Sequence, residues 1–301
     1  MSRARTGMRS FTLLLLPLSL TFAGQARAEP PELGTAPPAR DGVKPSPAKE
    51  AASCRLDKRL TFAADFAPYV GTSSSEVGRT AMRNFSFNLV GGYAGGLRGF
   101  ELGSVLNLER ACVEGVQVAG VLNASGGEVR GLQLSGAVNL THGEVRGLQV
   151  AGAANVTRDA QALQLSGAAN VVIGAVEGAQ LSGGVNLATG RLRGLQLSGG
   201  ANVVTAQLSG AQIAGGVNLG AEDVSGLQLA PVNVAAGNVH GVQLGVVNVA
   251  EKSDLSLGVV SINTRGRTQV TGWSAVETGF FAAAVKHGGN HWYGLYGLGT
   301  R

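Results

Sequence analysis

One amide-centred pattern recurs every 15 or 16 residues from Leu97 to about residue 266, and that short fixed period limits the folds open to this chain. Clean copies read Val129-Arg-Gly-Leu-Gln-Leu-Ser-Gly-Ala-Val-Asn-Leu140 and Val145-Arg-Gly-Leu-Gln-Val-Ala-Gly-Ala-Ala-Asn-Val156. The Gln of each unit falls at Gln117, Gln133, Gln149, Gln164, Gln180, Gln196, Gln212, Gln228 and Gln243, with Glu101 at the head of the series. The Asn series runs in step from Asn107 to Asn263. A unit this short cannot enclose a core alone and must bury its inner face against its neighbours, which is the logic of a repeat stack.

Helix is excluded by the glycines of each unit, since every interior Gly costs a helix about 1 kcal/mol relative to Ala. Apolar residues flank each Gln and each Asn with a period of two, as in Leu132-Gln-Leu134 and Val138-Asn-Leu140, so each unit reads as two short strands and two turns. The Gln-to-Asn spacing shortens at Leu229-Ala-Pro-Val-Asn233 and Leu244-Gly-Val-Val-Asn248, which places one turn at the Ser-Gly-Ala step. The other falls at Thr141-His-Gly-Glu144 and its equivalents.

The expected fold is all-β: a β-solenoid-like stack of about 10 coils over residues 97–266, with capping strands at 58–96 and 267–301. Stacked Asn and Gln can hydrogen-bond along such a ladder. The alternative is an antiparallel meander or barrel. A transmembrane barrel would need longer strands and aromatic girdles, whereas no Phe, Trp or Tyr occurs between Phe100 and Trp273. In a solenoid, Gln164 and Gln228 lie four strand spacings apart, about 19 Å, against about 38 Å in a meander. Hydropathy alone points Leu163, Leu165, Leu227 and Leu229 into the thin core and the two Gln side chains outward.

The ends of the chain bear on location. Arg3, Arg5 and Arg9 precede an apolar run from Phe11 to Phe22, followed by Ala26-Arg27-Ala28, so residues 1–28 read as a secretory signal peptide cut after Ala28. Residues 29–57, with Pro30, Pro31, Pro37, Pro38, Pro45 and Pro47, read as a disordered linker. The expected location is therefore exported: periplasm, outer-membrane surface or extracellular. Export permits a disulfide between the two cysteines, Cys54 and Cys112.

The signal peptide holds four of the 24 basic residues and none of the 19 acidic ones, which leaves 20 against 19 in the remainder. That near-neutral balance, with Arg and Glu alternating, offers no phosphate-binding stripe, and nucleic acid is excluded as a partner.

No catalytic, cofactor-binding or metal-binding constellation emerges. His287 and His291 are separated by Gly288-Gly-Asn290 and read as turn residues rather than metal ligands. The glycine-rich run Gly91–Gly96 lacks the Lys-Ser and helix of a phosphate loop. The Asn-x-Ser/Thr sequences at Asn123, Asn139 and Asn155 arise from the repeat itself, and a fourth stands at Asn84. Glu128 with Arg130 and Glu144 with Arg146 sit at one turn as a solvated rim.

The run Asn84-Phe-Ser-Phe-Asn-Leu-Val-Gly-Gly-Tyr93, then Gly95-Gly-Leu-Arg-Gly-Phe-Glu-Leu-Gly103 and the repeats, resembles a family of bacterial surface repeat proteins of spirochaetes and Bacteroidetes over residues 58–301. The chain departs from that pattern in favouring Ala and Gly before the Asn. The resemblance implies an exported surface protein, and it carries over no catalytic residues. The expected function is structural or interactive, with an envelope or surface protein or a glycan as partner and no enzyme activity. Alternatives are an outer-membrane barrel and a glycan-binding or glycan-processing solenoid.

Overall fold

The period-two flanks of Gln and Asn produce two strands per unit, and the strands of successive units pair in parallel and in register. The computed structural model describes residues 56–265, together with the backbone of 267–275, 280–288 and 293–300. Gln-bearing strands such as Val129–Ser135, Val176–Ser182 and Leu192–Ser198 form one ladder. Asn-bearing strands such as Ala169–Val172, Val185–Ala188 and Ala201–Val204 form the other. Gln164, Gln180, Gln196, Gln212 and Gln228 are register partners in sequence, the arrangement of a β-solenoid. It has about 11 turns and is not a barrel, so the meander and barrel alternatives fall.

The turn at the Ser-Gly-Ala step lies where expected, between Ser135 and Val138. The opposite turn is bridged in two adjacent units, where Val138–Ala151 and Ala154–Ser166 each run through it as a single strand, with a register shift between them at Thr141/Glu144.

Which face points inward differs from the hydropathy expectation. Gln164 and Gln228 are fully buried, whereas Leu163 and Leu229 are exposed. The same holds for each ladder Gln from Gln117 to Gln243 and each ladder Asn from Asn107 to Asn248, all at 0% exposure, whereas Gln161 and Gln207, which lie outside the ladder, are exposed. A period of two fixes only that amide and Leu face opposite ways. Coil size decides which is inside. A 16-residue coil has five inward positions, held in one unit by Val129, Gln133, Ser135, Asn139 and Thr141. Four large branched side chains per layer would overfill that space. The Asn-x-Ser/Thr sequences at Asn123, Asn139 and Asn155 are therefore inaccessible to glycosylation in the folded chain.

Apolar burial is confined to the inner corners. Leu97, Val113, Val129, Val145, Val176, Leu192 and Leu208 stack at one corner, and Val172, Ala188 and Val204 across from it. The Gly two residues after that first corner is required by geometry. Gly194 has φ +135°, and a Cβ there would meet the Gly178 carbonyl oxygen at 1.9 Å.

The N-terminal segment is part of the stack rather than a separate lid. Arg59–Ala67 pairs in parallel with Met82–Asn88, which pairs in parallel with Gly96–Gly103. The Gly91–Ala94 strand likewise pairs with Leu106–Glu109, giving the glycine-rich run a strand role. Leu56, which the sequence places in the linker, packs against Met82 and Cys112. Cys112 is disulfide-bonded, while Cys54, its expected partner, lies outside the described residues. The signal peptide lies outside them too. At the other end, Arg267–Ala275, Phe280–Gly288 and Tyr293–Thr300 form a separate antiparallel sheet, and its middle strand contacts Val260–Asn263 of the last coil.

Candidate docking faces

Buried amides must be satisfied, and here the ladders satisfy them. Each Gln donates from Nε2 to Oε1 of the Gln one coil earlier, as in Gln180 to Gln164 at 3.0 Å and Gln196 to Gln180 at 2.8 Å. Each Asn donates in the opposite direction, as in Asn170 to Asn186 at 3.0 Å and Asn186 to Asn202 at 2.9 Å. The directions have separate causes. Asn186 Nδ2 also reaches the Leu197 carbonyl at 2.8 Å, and a carbonyl only accepts. The Gln series ends on the Glu101 carboxylate, which accepts from Gln117 at 2.9 Å and so orients the amides behind it. The other Glu101 oxygen accepts from Asn88 at 2.8 Å, and Asn88 also starts the Asn ladder through Asn107 at 2.9 Å.

A buried concentration of titratable groups surrounds this junction. Arg83 donates to Asp65 at 2.7 Å, to Ser86 at 3.1 Å and to the carbonyls of Gly78 and Tyr93, each at 3.1 Å. Glu109 lies close by, and neither of its oxygens has a hydrogen-bond partner among the described residues. Burial, and next the Glu101 charge, hold its carboxyl well above the usual carboxylate value. Asp65, Arg83, Glu101 and Glu109 are each at most 4% exposed, so no substrate reaches them. They join the first coils together. Among the described residues, no cluster of His, Cys, Asp and Glu is fit to hold a metal. His142 and His240 are exposed on the rim; the His287 side chain and all of His291 lie outside the described residues.

What remains for function is the outside. The residues immediately before and after each ladder Gln or Asn point outward, and from Phe100 to Ile262 none of them is polar. They run as continuous rows: Leu132, Leu148, Leu163 and Leu134, Val150, Leu165 on the Gln face, and Val185, Ala201, Val217 and Leu187, Val203, Leu219 on the Asn face. The Gln-face rows continue N-terminally into Phe85, Phe87 and Phe62, with ring centroids 5.6 Å apart between Phe62 and Phe87.

Charge is kept to one edge. Arg98 pairs with Glu114 at 2.8 Å and Arg193 with Glu177 at 3.8 Å between coils, while Arg130 pairs with Glu128 at 3.0 Å and Arg146 with Glu144 at 2.9 Å within coils. These exposed pairs are worth at most about 1 kcal/mol each. Sequence reasoning missed these apolar outer faces because it assigned the apolar rows to the core. The signal was present in their number, since they exceed what one thin coil can enclose. Comparison with protein-family models, curated proteins and solved structures finds no match to this chain.

Proposed function

We propose that this chain is an exported, non-catalytic structural and docking protein of the bacterial cell envelope, acting through the apolar outer faces of its solenoid. The observation that carries this reading is the division of side chains. Strand amides turn inward and bond one another, while the outward strand positions beside them offer packing area without nucleophile, acid or base. Residues 1–28 and the resemblance to bacterial surface repeat proteins support export. The glycan-binding alternative relied on a flat outer face of Gln or Asn; with both amide series inside the coil, that alternative loses its surface.

Export is tested by expressing the chain with and without residues 1–28, fractionating the cells and sequencing the N-terminus by mass spectrometry. An envelope-fraction protein beginning at Glu29 is expected. Recovery of the intact leader on a cytosolic protein would overturn the reading.

A further inference from the structure

We infer that the partner of the apolar faces is the acyl-chain region of a phospholipid bilayer, into which the stack sits edge-in, with its charged edge at the headgroups. This rests on the docking role proposed above and names what does the covering.

The first ground is that three contiguous sides are apolar together. Both faces carry outward Leu, Val, Ile and Ala along the stack. The edge joining them is built from steps such as Gly136-Ala137, Gly152-Ala153, Gly183-Gly184, Gly199-Gly200, Ala230-Pro231 and Gly245-Val246, with the exposed Ser104 as a polar exception at its N-terminal end. With strands about 4.8 Å apart, the rows extend for roughly 50 Å, well beyond the apolar patches ordinary on soluble monomers. A protein partner or second copy docking flat would cover one face and leave the other face and the edge in water. A fluid apolar phase covers all three.

The second ground is independent of the side chains. Hydrocarbon tolerates a backbone only if its polar groups are satisfied within the protein. At the small-residue edge the turn amides bond from coil to coil, as they also do at the charged edge, so the backbone there meets this condition. Gly183 N donates to the Ser166 carbonyl at 3.2 Å and Gly184 N to the Ala168 carbonyl at 3.1 Å. The Leu181 carbonyl at the same corner accepts from Asn170 Nδ2 at 2.8 Å. A shallow, mostly apolar depression of about 320 Å³ beside this corner is lined by Val150, Ala151, Leu165, Leu181 and Leu197 with Ser166 and Ser182.

The paired Arg and Glu residues mark the side left in water. From Arg130 to the Gly136 corner is about 20 Å at 3.3 Å per strand residue, deeper than one leaflet of a hydrocarbon core about 30 Å thick and short of spanning it.

The exported chain, purified in mild detergent under non-reducing conditions, is mixed with phosphatidylethanolamine–phosphatidylglycerol (3:1) vesicles and separated by flotation. Single cysteines for nitroxide labels are placed at Leu165 on the Gln face, Leu187 on the Asn face, Ala168 on the small-residue edge and Arg193 on the charged edge. Flotation is expected, with labels at the first three positions gaining collisions with oxygen and losing collisions with a nickel chelate. The label at Arg193 should stay accessible to the chelate. The triple variant Leu165→Lys, Leu197→Lys, Leu229→Lys should lose flotation at least tenfold, and the uncharged labels give the answer if that variant fails to fold. Protection of one face alone, or absence of flotation, would overturn the inference. If the chain also stays out of vesicles but sediments as a defined oligomer, the lipid assignment falls and docking through apolar faces stands. If it stays monomeric and apart from vesicles, both fall.

Discussion

Glu109 shows how one residue ties the electrostatics of the first coils to their stability. Its raised folded value means the folded chain holds this proton more tightly than the unfolded chain, whose carboxyl titrates near 4.5. Such a group stabilises the fold fully below pH 4.5, and that contribution is lost as pH rises through the raised folded value. Denaturant midpoints of the wild-type chain should fall with rising pH across that window, and Glu109→Gln should flatten the fall. The gap between the two should widen toward alkaline pH. Equal slopes would show that the buried carboxyl is not the cause. The residue scale also holds the largest misreading of the sequence. Gln164 flanked by Leu163 and Leu165 has the same alternation whichever side is inside, so hydropathy put it outward and coil volume put it inward.

An element here is a ladder, and its strength depends on position along it. Replacing Gln196 by Ala leaves Gln180 Oε1 without its donor and Gln212 Nε2 without its ladder acceptor. Replacing Gln243 by Ala strands only Gln228 Oε1, because Gln243 Oε1 already lacks a partner among the described residues and the next coil places Ser256 opposite it. At about 1–3 kcal/mol for each buried group left unsatisfied, the interior change should cost roughly 2–5 kcal/mol and the terminal one about half as much. Equilibrium unfolding of the two variants measures the difference. Equal costs would mean that the amides act as space-fillers rather than as a bonded series. The ladder itself was legible in the sequence, since identical amides at a fixed period stack on one another in a parallel coil whichever way they face. Its opposed donor directions were not, because they depend on Glu101 at one end and on corner carbonyls such as that of Leu197.

Over the whole molecule, contacts are made between adjacent coils, so stability is close to a sum of coil and neighbour contributions. Removing residues 176–191 takes out one 16-residue period, as in the Gln180-to-Gln196 step. It brings Gln164 against Gln196 and Asn170 against Asn202 with every ladder in register. That deletion should fold, with its β circular dichroism kept and a thermal midpoint lower by a few degrees. Removing only residues 176–183 puts a Gln-bearing segment against an Asn-bearing one and should abolish the cooperative transition. A folded eight-residue deletion would mean that register is not set by the amides.

By itself the sequence determined the all-β class, the 15–16-residue coil, the corner at Ser-Gly-Ala and the paired charges of the rim, because period, glycine placement and charge spacing are properties of the chain read in order. The tertiary structure decided which side of the strand is the inside. It also showed that residues 59–94 extend the stack and that Glu109 is buried beside Glu101. Those outcomes depend on how much volume a closed coil encloses and on which groups meet when distant coils stack. A one-dimensional alternation is unchanged when inside and outside are exchanged, so it carries no record of either.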